Sequence, residues 1–167
     1  MTFVMGARHA RRQTARMRLR LHWLAAATAI ATVVLMGIGS LVHSTGSSLA
    51  CPDWPLCHGE VFPRMVGGVE FEHTHRLVGA AVASLTALLL VLALRRRAAV
   101  RAWVIAAAAL VLVQSTLGGL TVIFKLPPAI SIAHLATSMT FVSVLVVASV
   151  RLSTVAPAAP VADARDG

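Results

Sequence analysis

Four apolar runs, each near or above the roughly 18 residues that read as bilayer-spanning, dominate this chain. They lie at 21–42, 73–94, 102–121 and 129–152 of the 167 residues and leave little for a water-soluble core. Hydrophobic residues make up 57% of the sequence and charged ones only 13%. A soluble domain carries about 25% charged residues. The expected fold is an all-α integral membrane protein, a bundle of four transmembrane helices.

The net charge of +9 would suggest nucleic acid in a soluble protein, but here the basic residues flank the apolar runs. No nucleic-acid partner is expected. A leader at 1–20 carries Arg8, Arg11, Arg12, Arg16, Arg18 and Arg20 and no acid. Four spans place it on the same side as Arg95, Arg96, Arg97 and Arg101, and as Arg151 and Arg165. Only Arg64, Arg76 and Lys125 fall on the other side. The positive-inside rule then makes both termini cytoplasmic and the loop at 44–71 external, in a bacterial cytoplasmic (inner) membrane. The Ala- and Pro-rich segment 153–167 reads as a disordered cytoplasmic tail. Cleavage of the first run as a signal peptide is disfavoured, because it is long enough to span and the polar stretch 44–48 separates it from Cys51.

The external loop contains Cys51-Pro-Asp-Trp-Pro-Leu-Cys57-His, on the side where bacteria form disulfides. A Cys51–Cys57 bond is the default, with Pro52 and Pro55 restricting the same ring. A simple staple, a redox-active thiol pair and a copper(I) site using Cys51, Cys57 and His58 are all compatible with this spacing. Zinc is disfavoured, since five residues separate the cysteines and no second ligand pair follows. Trp54 reads as an interfacial anchor that tips the loop onto the headgroups.

Ionisable groups inside a span are costly unless they line a site. The second run opens Glu70-Phe-Glu72-His73-Thr-His75-Arg76-Leu-Val-Gly79. Glu72, His75, Arg76 and Gly79 are three or four residues apart and share a helical face. His73 points almost the opposite way, toward the interface or the loop. His134 enters the fourth run after Pro127-Pro128, and both runs cross in the same direction, so His75 and His134 fall at similar depth. Two facing imidazoles at one depth can supply both axial ligands of a haem iron. Helix-packing hydrogen bonds are the alternative use for either alone. Glu72-x-x-His75 is half of a di-iron motif, but Ser131 stands where the second glutamate is needed and the other runs contain no acid. A zinc or proton-relay site stays open. Gly79, Ser138 and Gly118-Gly119 leave room for a flat macrocycle or a close backbone. Gln114, Thr121 and His43 complete the polar groups able to face such a pocket.

Together these segments resemble the haem A synthase family: the stretch from Leu41 through Cys51 and Cys57 to Gly59, Glu72-x-x-His75-Arg76, Gly118-Gly119-Leu-Thr-Val, Leu126-Pro-Pro and His134-Leu. The resemblance covers about residues 21–150. Members of that family usually have two four-helix halves, each with a histidine pair, and this chain resembles one half. One half of a member holds haem b that passes electrons. The other binds haem o, whose methyl group is oxidised to the formyl of haem a for terminal oxidase biogenesis. The resemblance implies His75 and His134 as axial ligands, Glu72 as the catalytic carboxylate and Cys51 and Cys57 as the external-loop pair. A carboxylate one turn from the ligand could accept protons or stabilise positive charge during C–H oxidation. Arg76 is positioned to pair with a propionate. A homo-oligomer, or pairing with a second half-size chain, would restore two haem sites. Haem O synthase and terminal oxidase assembly proteins are the implied partners. A non-enzymatic b-type haem carrier or assembly factor is the alternative. His43 and Ser48 depart from the family's usual arginine and glycine.

Overall fold

The computed structural model describes residues 2–96 and 98–154, with side chains from Gln13 to Ser153. Arg97, Arg165 and the tail read as disordered lie outside the described residues. The chain folds into α1 (Thr2–Ser44), α2 (Val69–Arg95), α3 (Arg101–Ile123) and α4 (Pro128–Thr154). All four are long and apolar enough to cross a membrane. There is no β-strand among the described residues. The basic leader is helical, since α1 begins at Thr2 and runs through it without a break. Its Ala, Arg, Gln and Met residues favour helix, and no proline interrupts them.

The boundaries follow local chemistry. Gly67 and Gly68 adopt left-handed φ of 65° and 91° just before α2. Glu70 and Glu72 then meet the positive end of its dipole. Lys125 and Leu126 turn the chain with positive φ, and Pro128 opens α4, where a missing N–H costs nothing.

Each helix packs against its two neighbours in a square: α1 on α2 and α4, and α3 on α2 and α4. The diagonal pairs are α1 with α3 and α2 with α4. The close-packed core fills the half nearest the chain termini. Leu21, Ala25 and Ala29 meet Val82, Leu89 and Ala93 of α2, Val104 and Ala107 of α3, and Phe141, Leu145 and Leu152 of α4. Spacings of three, four and seven put each set on one stripe. Buried Thr28, Thr32 and Thr86 return their hydroxyls to the carbonyls of Leu24, Thr28 and Val82, one turn back in the same helix. His22 Nδ1 lies 3.0 Å from the Ser149 carbonyl, tying α1 to α4 in this half. The half beneath the long loop is built differently. Glycines, histidines and a glutamine face one another there, where the other half has Leu, Val and Phe.

Candidate haem site and its disulfide cap

His75 is the seventh residue of α2 and His134 the seventh of α4. The equal depth expected from the sequence is therefore present, on diagonal helices. Each imidazole lies over a glycine of the next helix. A Cβ added to Gly39 of α1 would stand 2.9 Å from His75 Cε1, and one added to Gly118 of α3 would stand 3.2 Å from His134 Cε1. Gln114 Nε2 and His134 Nε2 are 3.3 Å apart. Nδ1 of His75, Nδ1 of His134 and Oε1 of Gln114 are buried without a hydrogen-bond partner.

Unpartnered buried nitrogens are rare unless they serve a ligand. Here two of them lie on imidazoles at one depth on diagonal helices, and a glycine lies under each ring. That donor set fits an iron held between His75 and His134. Other residues expected near the pocket fare differently. Gly119 receives the Trp54 indole, not a macrocycle or a backbone: a Cβ there would come within 2.7 Å of the ring. Trp54 is thus an anchor to α3 as well as a surface residue, at 44% exposed. Gly79 meets only Leu35, at ordinary contact distance. Thr121 donates to the Gly118 carbonyl, Ser138 to that of Leu135, and His43 is exposed at the end of α1.

Above the imidazoles, Glu72, Arg76 and the cysteines form a single cluster. Cys51 and Cys57 are joined, with Cα atoms 4.7 Å apart, and both are fully buried. Glu72 is 4% exposed. Its Oε2 accepts the Cys51 N–H at 2.8 Å and its Oε1 accepts from Arg76 Nη2 at 2.6 Å. Arg76 Nη2 also donates to the Cys51 carbonyl at 3.0 Å, and Nη1 donates to the carbonyls of Asp53, at 2.7 Å, and Leu56. One guanidinium therefore straps three loop carbonyls to α2, leaving Nε–H outside these bonds. Asp53 accepts the N–H groups of His58 and Gly59 at 2.6 and 2.8 Å. The Gly59 N–H bond holds the Asp53 carboxyl below its ordinary range despite some desolvation, helped by the His58 N–H bond and the positive charge of Arg76 nearby.

The histidine against the cysteines is not His58. That ring bonds the Ala50 carbonyl through Nε2 and stays exposed. His73 faces the loop, as its helical angle requires, but it is buried under the disulfide instead of lying at the interface. Gly39 is a site residue that the sequence does not single out, because a lone glycine in an apolar run carries no sign of what packs on it.

Residues 68–166 match the family model described as cytochrome oxidase assembly protein (COX15-CtaA). The match includes Glu72, His75, Arg76 and His134. Heme A synthase of Bacillus pumilus is 35% identical over 127 residues, covering 72% of this chain and 41% of that protein. Heme A synthase of Alkalihalophilus pseudofirmus is 33% identical over 128 residues, covering 73% and 43%. Protoheme IX farnesyltransferase of Haloarcula marismortui is 37% identical over 118 residues, covering 70% of this chain and 25% of that protein. The chain thus spans less than half the length of these relatives. No solved structure matches it.

Proposed function

The chain belongs to the cytochrome oxidase assembly protein family COX15-CtaA, and from that membership we propose that its four-helix unit binds haem between His75 and His134 and serves haem A formation. The observation that carries this is the pair of imidazoles at one depth on diagonal helices, each cradled by a glycine, each with an unpartnered Nδ1. The reaction proposed is oxidation of the haem o methyl group to the formyl of haem a, for terminal oxidases. The membrane is the bacterial cytoplasmic one, with the cysteine loop outside. The Haloarcula relative's name supports placing the chain next to the supply of farnesylated haem from a haem O synthase.

The bound haem would supply the redox chemistry; the protein orients and shields it. His75 and His134 are the residues that would hold the iron. Gln114, 3.3 Å from His134 Nε2, sets that ring's orientation before binding. Glu72 sits one turn before His75, where a carboxylate can take a proton from the substrate edge or face developing positive charge. Arg76 holds Glu72 in place, and its remaining Nε–H is the donor free for a propionate. These four helices offer one such histidine pair, and a second copy or a second four-helix unit would provide two haem sites.

The alternative is a b-type haem carrier or assembly factor on the same bundle. The occupation of both Glu72 oxygens by structural donors favours it. Haem extraction and chromatography from a host that makes haem o, with and without the protein and with Glu72→Ala and His134→Ala, separates the two. Haem a or its hydroxylated precursor only with the intact chain supports the enzyme. Bound haem without conversion supports the carrier. No bound haem refutes both.

A further inference from the structure

His73 is 6% exposed, and neither Nδ1 nor Nε2 has a hydrogen-bond partner. A ring buried with both nitrogens unpaired is a costly arrangement that calls for a ligand. One of its nitrogens and the Sγ atoms of Cys51 and Cys57 all lie within 4.8 Å of one another, and all three residues are buried. In the disulfide the sulfurs are poor donors, whereas thiolates are strong, soft ones.

We propose that reduction of the Cys51–Cys57 disulfide converts this cluster into a three-coordinate site for copper(I), with two thiolates and the His73 imidazole as ligands. A dithiol reductant supplies the two electrons. The S–S bond breaks, the reductant's thiols become a disulfide, and their two protons pass to Cys51 and Cys57. Copper(I) then displaces both thiol protons to solvent with no further redox change. Metal–sulfur distances of about 2.3 Å and metal–nitrogen distances of about 2.0 Å put trigonal ligands about 4 Å apart. The imidazole therefore needs to move only about 1 Å, while the freed sulfurs separate from bonding distance. Two thiolates and one imidazole suit soft copper(I) better than zinc, which takes four ligands in structural sites. Because the site exists only after reduction, metal capture reports the redox state of the loop. It is independent of haem, using neither His75 nor His134.

The test uses the full chain in nanodiscs, oxidised, or reduced with a dithiol that is then removed by anaerobic desalting, titrated with copper(I) against a chromogenic chelator. X-ray absorption then counts the ligands. The reduced protein is expected to bind a stoichiometric equivalent and the oxidised protein none, with two sulfur scatterers and one nitrogen around the metal. His73→Phe, which keeps the volume, is expected to weaken binding by about 10- to 100-fold or more, since even an outer-shell partner is worth that much. His58→Ala is expected to bind as the unchanged protein does. Tight binding to the oxidised protein, equal affinity in His73→Phe, or loss in His58→Ala instead would overturn the assignment. If His73→Phe fails to fold, the absorption spectrum of the unchanged protein decides alone: a shell without the nitrogen refutes the site.

Discussion

Replacing Arg76 by alanine removes the side chain that ties three carbonyls of the cysteine loop to α2. The loss has two parts. The Glu72 carboxylate, 4% exposed, keeps its Cys51 N–H but loses its ion-pair partner. The carbonyls of Cys51, Asp53 and Leu56 lose a charged donor at the same time. Breaking a buried ion pair from one side costs about 3–5 kcal/mol, and a hydrogen bond to a charged group is worth about 1.5–3 kcal/mol. The Arg76 side chain is 14% exposed, so water can re-solvate part of what it leaves. The lower end, about 3 kcal/mol, is therefore expected. Reversible unfolding in mixed detergent measures it, and the rate at which a membrane-impermeant reductant opens Cys51–Cys57 gives an independent readout of the loop. Arg76→Lys should recover only part, because an ammonium lacks the planar fork that reaches several carbonyls. Glu72→Gln placed in the Arg76→Ala background should cost less than in the unchanged protein, with a coupling of about 1–3 kcal/mol. A loss below about 1 kcal/mol, the range of an exposed pair, would refute the strap.

Gly119→Ala should drive Trp54 off α3, shifting its fluorescence and costing about 1–3 kcal/mol, and Trp54→Ala in the same chain should remove most of that penalty. Gly39→Ala should tilt the His75 ring and weaken haem retention more than Gly118→Ala, whose contact is looser; absorbance titration of the apo protein ranks them, and a reversed order argues against the cradle. Asp53 has its carboxyl held low in the folded loop, so its contribution is present above the unfolded value of about 3.9 and is lost as pH falls through the lower folded value. Loop stability, followed by disulfide reduction rate, should therefore fall on acidification below about pH 4, and Asp53→Asn should flatten that dependence.

The apolar runs disclosed the four helices because a bilayer span is a local property, written in consecutive residues. Helical angles also placed His75 with Glu72 and Arg76 on one face and sent His73 the other way. What they could not disclose is which distant group meets each face. A guanidinium beside a candidate haem ligand suggests a propionate partner, and nothing local announces that its Nη atoms also hold carbonyls more than 20 residues upstream. Trp54 looked like a headgroup anchor, since nothing near it in sequence announces Gly119 as its seat. Gly39 was invisible because a glycine among alanines and valines says only that something approaches closely. Charge in the leader speaks to sidedness and leaves backbone conformation to propensity, which favours helix there.

The hydroxyls that return to their own helices bear on how a rigid disc could ever enter the bundle. Thr28, Thr32, Thr86, Thr137 and Ser143 are each satisfied one turn back, so they place no demand on a neighbouring helix. Parting α1–α2 from α3–α4 at the loop end then sacrifices dispersion contacts and the seat of Trp54 on Gly119, but breaks none of these bonds. At the opposite end, the turn between α2 and α3 and the His22–Ser149 contact keep the pairs together. The fold thus has the mechanics of a clothes-peg, closed by packing at the jaws and held by covalent and polar ties at the spring. Assembly can therefore complete the helices first and admit a flat ligand afterwards, without passing through an unfolded chain.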